Sequence, residues 1–506
     1  MFRPSQIALS ITGLAVPILA VSTLVHAQTT TCTPDDTNRP VCPSTATMTK
    51  ASFIDPTATL SHHNHVRLGE QVYIGPFSEL KDHEHGHEAH ITIGNKSNLQ
   101  DHIKIHAHWH HNRTETDKQK VDSLQLPDGV HIGERVIFAH GTIIVKGSAE
   151  IGVRGENNVT IGTNTNNPPS TASFTNDPPE TFISFGAEID GARVDKNTVV
   201  SALARVGPGV HLRSGYVVLP GKNLIDPNDE TRTTTVNGVA PKVRHITQAD
   251  LEFANLVIEA NEKLAEGYSR LVKDPGGSIN KVQGISVDPG TLSTGEQTPH
   301  FGSTMSVDSE GYGSCSGGSG HTDHNFRNRI IGQVFFKQAA SALTNDVMKH
   351  GISIRGDEGK DICIGTIAHM SDNVVIHALE KALEPSLALK DKLFIGDNVS
   401  YGNRAIVHGG LAQDATRVDT VVEELPPTKI GNNVTLGDDT VVFRSTIEDG
   451  FTIGAKSLIL NADVTSALPG ITNKTIPPKS FVTTNCQVTN GTTNCQTGLA
   501  LNAIEW

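Results

Sequence analysis

Ile91-Thr92-Ile93-Gly94, Val130-His131-Ile132-Gly133, Ala149-Glu150-Ile151-Gly152 and Val159-Thr160-Ile161-Gly162 repeat one phrase: an aliphatic residue, a spacer, a second aliphatic residue, then glycine. Val66-Arg67-Leu68-Gly69 precedes them, and close variants return at Ile362-Cys363-Ile364-Gly365, Leu393-Phe394-Ile395-Gly396, Thr428-Lys429-Ile430-Gly431 and Phe451-Thr452-Ile453-Gly454. Repeats of this kind wind a chain into a parallel β-helix. Each inward aliphatic side chain stacks on its counterpart one coil away, and glycine or asparagine permits the corner. A β-sandwich of alternating strands is the competing reading, but it does not require an Ile-Gly phrase at coil spacing. Low aromatic content (5%) and 47 glycines suit short strands joined by tight turns.

The repeats fall into two blocks. Between them, Thr247 to Lys273 reads as a helix: Leu251, Ala254, Leu256, Val257, Ala260, Leu264, Tyr268 and Leu271 lie mostly on one face at three- and four-residue steps. Pro275-Gly276-Gly277 ends it, and the Gly/Ser/Thr-rich stretch that follows reads as a flexible linker. The expected organisation is a signal peptide (1–27), an N-terminal segment (28–50), a first β-helix domain (51–245), a helix packed on it (246–274), a linker (275–325), a second β-helix domain (326–482) and a polar C-terminal tail (483–506). A length of 506 residues fits two domains better than one core.

The signal-peptide reading rests on Arg3, the apolar run from Ile7 to Val25 and the small-x-small end Val25-His26-Ala27. It implies a secreted or periplasmic protein with no membrane association after processing. With residues 1–27 removed, 40 basic residues face 54 acidic ones, which argues against nucleic acid or an anionic membrane as partner. Six cysteines form no CxxC pattern. In an oxidising compartment Cys32 with Cys42 and Cys486 with Cys495 are the expected short-loop disulfides, and Cys363, inside an apolar run, is expected as a buried free thiol.

Three phrases carry a family resemblance. The second block has Ser353-Ile354-Arg355-Gly356-Asp357-Glu358-Gly359, then Ser371-Asp372-Asn373-Val374-Val375-Ile376-His377-Ala378-Leu379-Glu380, then Ile395-Gly396-Asp397-Asn398-Val399-Ser400 leading to Val407-His408-Gly409. The first block echoes them in Lys96-Ser97-Asn98-Leu99-Gln100-Asp101 before Ile105-His106-Ala107, and in Phe138-Ala139-His140-Gly141. The chain thereby resembles the gamma-class carbonic anhydrases. The resemblance implies a mainly β fold of two tandem left-handed parallel β-helix domains, the first followed by an α-helix.

In that family a metal is held between subunits by three histidines, two from one subunit and one from its neighbour. Carried over, His377 and His408 take the same-subunit roles in the second block, where the cross-interface position is Asn403. In the first block His106 takes the first ligand role and His140 the cross-interface role, while the remaining place falls on Lys146. The losses are complementary: His377 and His408 with His140 restore three imidazoles between unlike domains, and His106, Lys146 and Asn403 leave a degenerate site. Zinc is the default ion, with iron(II) or cobalt(II) also suited to imidazole.

The resemblance further implies that Arg355 and Asp357 form the interface ion pair, with Lys81 and Asp82 as weaker first-block counterparts. Asp372 is expected near the metal ligands, Gln100 beside the metal's water, and Glu358 and Glu380 as acids that move protons away. The implied activity is hydration of carbon dioxide to bicarbonate, with self-association of the chain. A non-catalytic metal-binding or scaffold relative is the alternative, and acyl transfer, which many hexapeptide proteins perform with one histidine, ranks third. His62, His63, His65, His83, His85, His87, His90, His102, His108, His110 and His111 are expected as exposed loop residues, with extra metal capture or proton buffering as the lesser reading.

Overall fold

The computed structural model describes residues 32–82, 90–107, 113–162, 172–176, 178–273, 299–308, 313–320, 328–357, 361–378, 393–409, 428–489 and 492–506. From Ser52–Ile54 through Thr59–Ser61 and Val66–Leu68 to Tyr73–Ile74, the first block's chain visits three sheets in turn and returns one coil on. Its sheets hold nine, six and seven strands, and the second block repeats the plan with eight, eight and five. Within the coils the pairing is parallel and in register, so both blocks are three-sided parallel β-helices.

The repeated phrase explains the core. Leu68, Ile93, Ile132, Ile151, Val194 and Leu212 stand in one register column, and none is more than 3% exposed. Each such side chain contributes roughly 1.5–3 kcal/mol on burial. The spacer residue, such as Thr92 or His131, points outward. The glycine is a stacking requirement: a Cβ on Gly133 would stand 1.9 Å from the Gly152 carbonyl oxygen of the next coil. One phrase departs from the pattern. Val159 to Gly162 lies in an antiparallel hairpin, Asn158–Ile161 against Ala172–Thr175, outside the coil sheets.

A short helix, α1 (Glu115–Ser123), lies over the first block, with Lys120 against Gly209 and Val121 against Gly191. The helix expected over 247–273 is α2 (Gln248–Lys273). Thr247 Oγ1 accepts from the Asp250 N–H and Asp250 Oδ2 accepts from the Thr247 N–H, a reciprocal cap. Leu264, Ala265 and Tyr268 pack on Ala51, Phe53 and Tyr73.

Two boundaries and one cysteine differ from the sequence expectation. The second coil stack begins inside the expected linker: His300–Phe301 pairs with Phe335–Phe336, and Thr304–Val307 forms a hairpin with Gly313–Ser316. Phe301 stacks on Phe336 with ring centroids 4.9 Å apart. Cys363 is not a free thiol but is bonded to Cys315, pinning that hairpin to the coil; Cys32–Cys42 is bonded as expected. The expected polar tail is a long hairpin, Phe481–Thr489 with Thr492–Ala500, in which Cys486 stands opposite Cys495; Cys495 is disulfide-bonded.

The two blocks are packed together. Val375, Ile406, Val441, Phe443 and Leu458 share the first block's core cluster. Arg329 and Asp55, each 1% exposed, pair across the junction at 2.8 Å. The chain's last residues return to the first block: Ile504 enters its core, Glu505 accepts from Lys222 and from the Asn223 N–H, and Trp506 Nε1 donates to the Leu203 carbonyl at 2.7 Å.

Candidate metal centre

One side of the second block carries Arg355, His377 and His408 as register neighbours on successive coils. Strand alternation would place all three on one face, and that face is laid against the first block. His140 follows the strand Val136–Phe138 and meets them there. The ring centroids of His140 and His377 are 4.2 Å apart, those of His140 and His408 5.2 Å, and those of His377 and His408 4.9 Å. One nitrogen from each ring lies within 4.8 Å of the others, and all three residues are buried.

The surroundings orient these nitrogens. His140 Nδ1 donates to Asp101 Oδ2 at 2.6 Å, and His408 Nδ1 donates to the Gly409 carbonyl at 2.9 Å, so each ring turns its Nε2 inward. His377 Nδ1 stands 3.2 Å from His408 Nε2. Donors on neighbouring corners of a tetrahedral site with bonds near 2.0–2.1 Å stand about 3.3 Å apart, so this pair is spaced for a small divalent ion, with a His140 nitrogen within 4.8 Å of both. Burial, with the other two histidines adding to it, pushes His377 well below the ordinary histidine range, and burial followed by His140 does the same for His408. Neutral imidazole is the form that binds a metal.

Behind the histidines is a buried polar assembly. Arg355 donates from Nη1 to Gln100 Oε1 at 2.8 Å and Asp101 Oδ2 at 3.0 Å, and from Nε to Asp357 Oδ2 at 3.0 Å. Ser353 Oγ donates to Asp101 Oδ1 at 2.6 Å, and Tyr268 of α2 donates to Asp357 Oδ2 at 2.5 Å. Burial raises the Asp101 carboxyl, but Arg355 and His140 outweigh it and hold the group far below the usual carboxylate range. Gln100 Nε2 also donates to Asn261 of α2. A cavity of about 30 Å³ adjoins the histidines, lined by Gln100, Phe182, Phe185 and Phe443 among others. A water-sized molecule needs roughly 10–15 Å³ on this measure, so the space suits a very small, largely apolar molecule.

The residues expected at the site divide clearly. Gln100, His140, Arg355, Asp357, His377 and His408 come together. Glu358 and Glu380 lie outside the described residues. Asp372 is a correction: its side chain is 52% exposed, it accepts from the His350 N–H, and it belongs to no three-ligand group among the described residues. Asp372 ends the second block's equivalent of the Gln100-Asp101 corner, and only the first block's corner is covered by a partner face. His106 is a second correction, since it joins no three-ligand group among the described residues. Its Nε2 is 3.4 Å from Glu79, while Lys146 pairs with Glu188 at 2.7 Å and Asp190 at 3.5 Å. Lys81 pairs with Glu79 at 2.6 Å, and Asn403 bonds Asp438. Asp82 turns away from this face to His65 and His90.

Sequence reasoning gave Asp101 and Ser353 no role, although both stand within the phrases it singled out, and it read Tyr268 only as part of the helix's apolar face. The sequence identifies which residues repeat, but not which acid crosses the junction. Several histidines are also buried rather than exposed: His65 is 6% and His102 2% exposed.

No family model matches the chain. It is 30% identical over 131 residues to the carbonic anhydrase of Methanosarcina thermophila, covering 24% of this chain and 53% of that protein. It is 27% identical over 168 residues to the carboxysome assembly protein CcmM of a Nostoc species, covering 33% of this chain and 24% of that protein. The chain thus spans about half the length of the first relative and a quarter of the second.

Proposed function

We propose that this relative of the gamma-class carbonic anhydrases hydrates carbon dioxide to bicarbonate and a proton at a divalent ion held by His140, His377 and His408. The observation that carries the proposal is the meeting of His140, from one block, with two histidines of the other. An ion there would bring the pKa of a bound water toward ~7 and so supply a nucleophile at neutral pH. Zinc is the first choice, and iron(II) or cobalt(II) suits the same nitrogen set.

The chain's own groups do the rest. Asp101 holds His140 in the tautomer that leaves Nε2 for the ion. Arg355 fixes Gln100, whose Oε1 accepts from the guanidinium, and Gln100 lines the cavity into which carbon dioxide would pass. Phe182, Phe185 and Phe443 keep bulk water from that space. Removal of the proton is assigned, by resemblance, to Glu358 and Glu380. Export directed by residues 1–27 belongs to the same proposal, and the Cys32–Cys42 and Cys315–Cys363 disulfides suit an oxidising compartment.

Metal analysis together with a carbon dioxide hydration assay on the purified full chain tests the proposal. One ion lost with His140→Ala, and hydration lost with it, is the expected result. A bound ion with no hydration above buffer would leave a metal-binding scaffold, the reading that similarity to an assembly protein favours. Glu380→Gln should lower kcat by about 100-fold with KM unchanged, with recovery on adding imidazole buffer.

A further inference from the structure

The first block's opening coils carry a second convergence of ligand-type side chains. His65 lies at the corner before Val66–Leu68, Asp82 ends the strand Glu79–Asp82, and His90 precedes Ile91–Ile93. His65 Nδ1 is 2.5 Å and His90 Nδ1 2.7 Å from the same carboxylate oxygen, Asp82 Oδ2. The Asp82 side chain is 0% exposed, His65 7% and His90 15%. The two rings meet edge to face with centroids 5.4 Å apart, so both Nδ1 atoms point to one spot.

We propose that His65, Asp82 and His90 form a second site for a zinc-class divalent ion, which cross-links successive coils at the start of the first block. Two imidazoles and one carboxylate are a recognised nitrogen–oxygen donor set for zinc, with water completing four positions. The partial exposure of His90 marks the side from which that water would come. A buried carboxylate demands compensation, and a divalent ion is a strong source of it. Among the described residues, the neighbouring Lys81 lies on the opposite strand face, paired with Glu79 at 2.6 Å. The present N–O separations are hydrogen-bond lengths. Around an ion each imidazole draws back by roughly 0.7 Å, a small tilt, to reach the ~3.3 Å spacing of neighbouring donors. This site shares no residue with the three-histidine cluster and stands independently of the proposed reaction.

The test uses the full chain, stripped of metal and titrated with zinc alone, then with cobalt(II) followed by visible absorption. The wild-type protein should bind two ions per chain. His140→Ala should bind one, and so should Asp82→Asn; His90→Ala removes one ligand without touching the buried acid and should weaken the second ion by at least tenfold. Zinc should raise the melting temperature of His140→Ala but not that of His140→Ala combined with His90→Ala. A wild-type stoichiometry of one, lost entirely in His140→Ala, overturns the proposal. So does a stoichiometry of two kept at full affinity in both Asp82→Asn and His90→Ala, which would assign the ion to other histidines. If Asp82→Asn does not fold, His90→Ala decides. Failure of the three-histidine site appears separately, as no ion lost from His140→Ala.

Discussion

Lys81, His106 and Lys146 in the first block occupy the same three register positions as Arg355, His377 and His408 in the second. One column is an ion-pair lattice, and the other sets two imidazoles beside one buried guanidinium. The difference lies in what faces each column. The His408 column meets Gln100, Asp101 and His140 across a buried junction, where an unpaired charge would be costly. The Lys146 column instead meets Glu79, Glu188 and Asp190 on its own block, with Arg113 and Arg205 sharing Asp190. A fold position therefore does not determine chemistry; the acids and histidines opposite it do.

The strongest way to break this contrast is to remove a ligand from the imidazole column. His377→Ala or His408→Ala should abolish ion binding at the cluster and reduce hydration by at least ~1,000-fold, as read by metal content and stopped-flow assay. Lys146→Ala should change neither. Next, Asp101→Asn leaves Arg355 short of one carboxylate and His140 short of its anchor. Denaturant unfolding should show a loss of about 3–5 kcal/mol, and zinc affinity should fall by 10- to 100-fold.

A third test separates the two regions by pH. Burial holds His102, at the junction beside Gly351, down to about 4 from an ordinary value of 6.5. The unfolded chain therefore takes up this proton first. The stability tied to neutral His102 is complete above about pH 6.5 and drains as the pH falls to 4, by on the order of 3 kcal/mol. In zinc-loaded protein, His102→Leu should flatten the unfolding profile over that window. Glu79, on the ion-pair face, is lowered to about 2, chiefly by its hydrogen bond with His106. Its contribution is present above 4.5 and is lost only as the pH falls through 2, so Glu79→Gln should alter the profile below the His102 window. The smallest effect belongs to Lys146→Ala itself. With Arg205 and Arg113 still on Glu188 and Asp190, it should cost about 1 kcal/mol or less in unfolding free energy, read by denaturant titration.

Much of this was legible in the residues. The aliphatic-x-aliphatic-Gly phrase reports inward stacking directly, and the face of α2 was readable from its spacing because Leu264 and Tyr268 have one apolar surface to meet. The resemblance pointed to His140, His377 and His408 as one set, and these three come together because each is fixed by a single position on its strand. Other features depend on context. Val159-Thr160-Ile161-Gly162 has the coil phrase but pairs in a hairpin, since four residues do not specify a register partner. The Gly/Ser-rich stretch concealed Phe301 and Cys315, two anchors that outweigh their flexible neighbours. Asp372 was misjudged because it stands at the same coil corner as Asp101 but is half exposed in the second block.

The return of Ile504, Glu505 and Trp506 to the first block has a consequence for molecularity. With both partners of the junction on one backbone and fastened again at the far end, the cluster forms by an intramolecular event, independent of dilution. In a symmetric ring of identical subunits, every substitution would be repeated at each interface. Within this chain the junction joins unlike surfaces, so a substitution on one block is not repeated on the other.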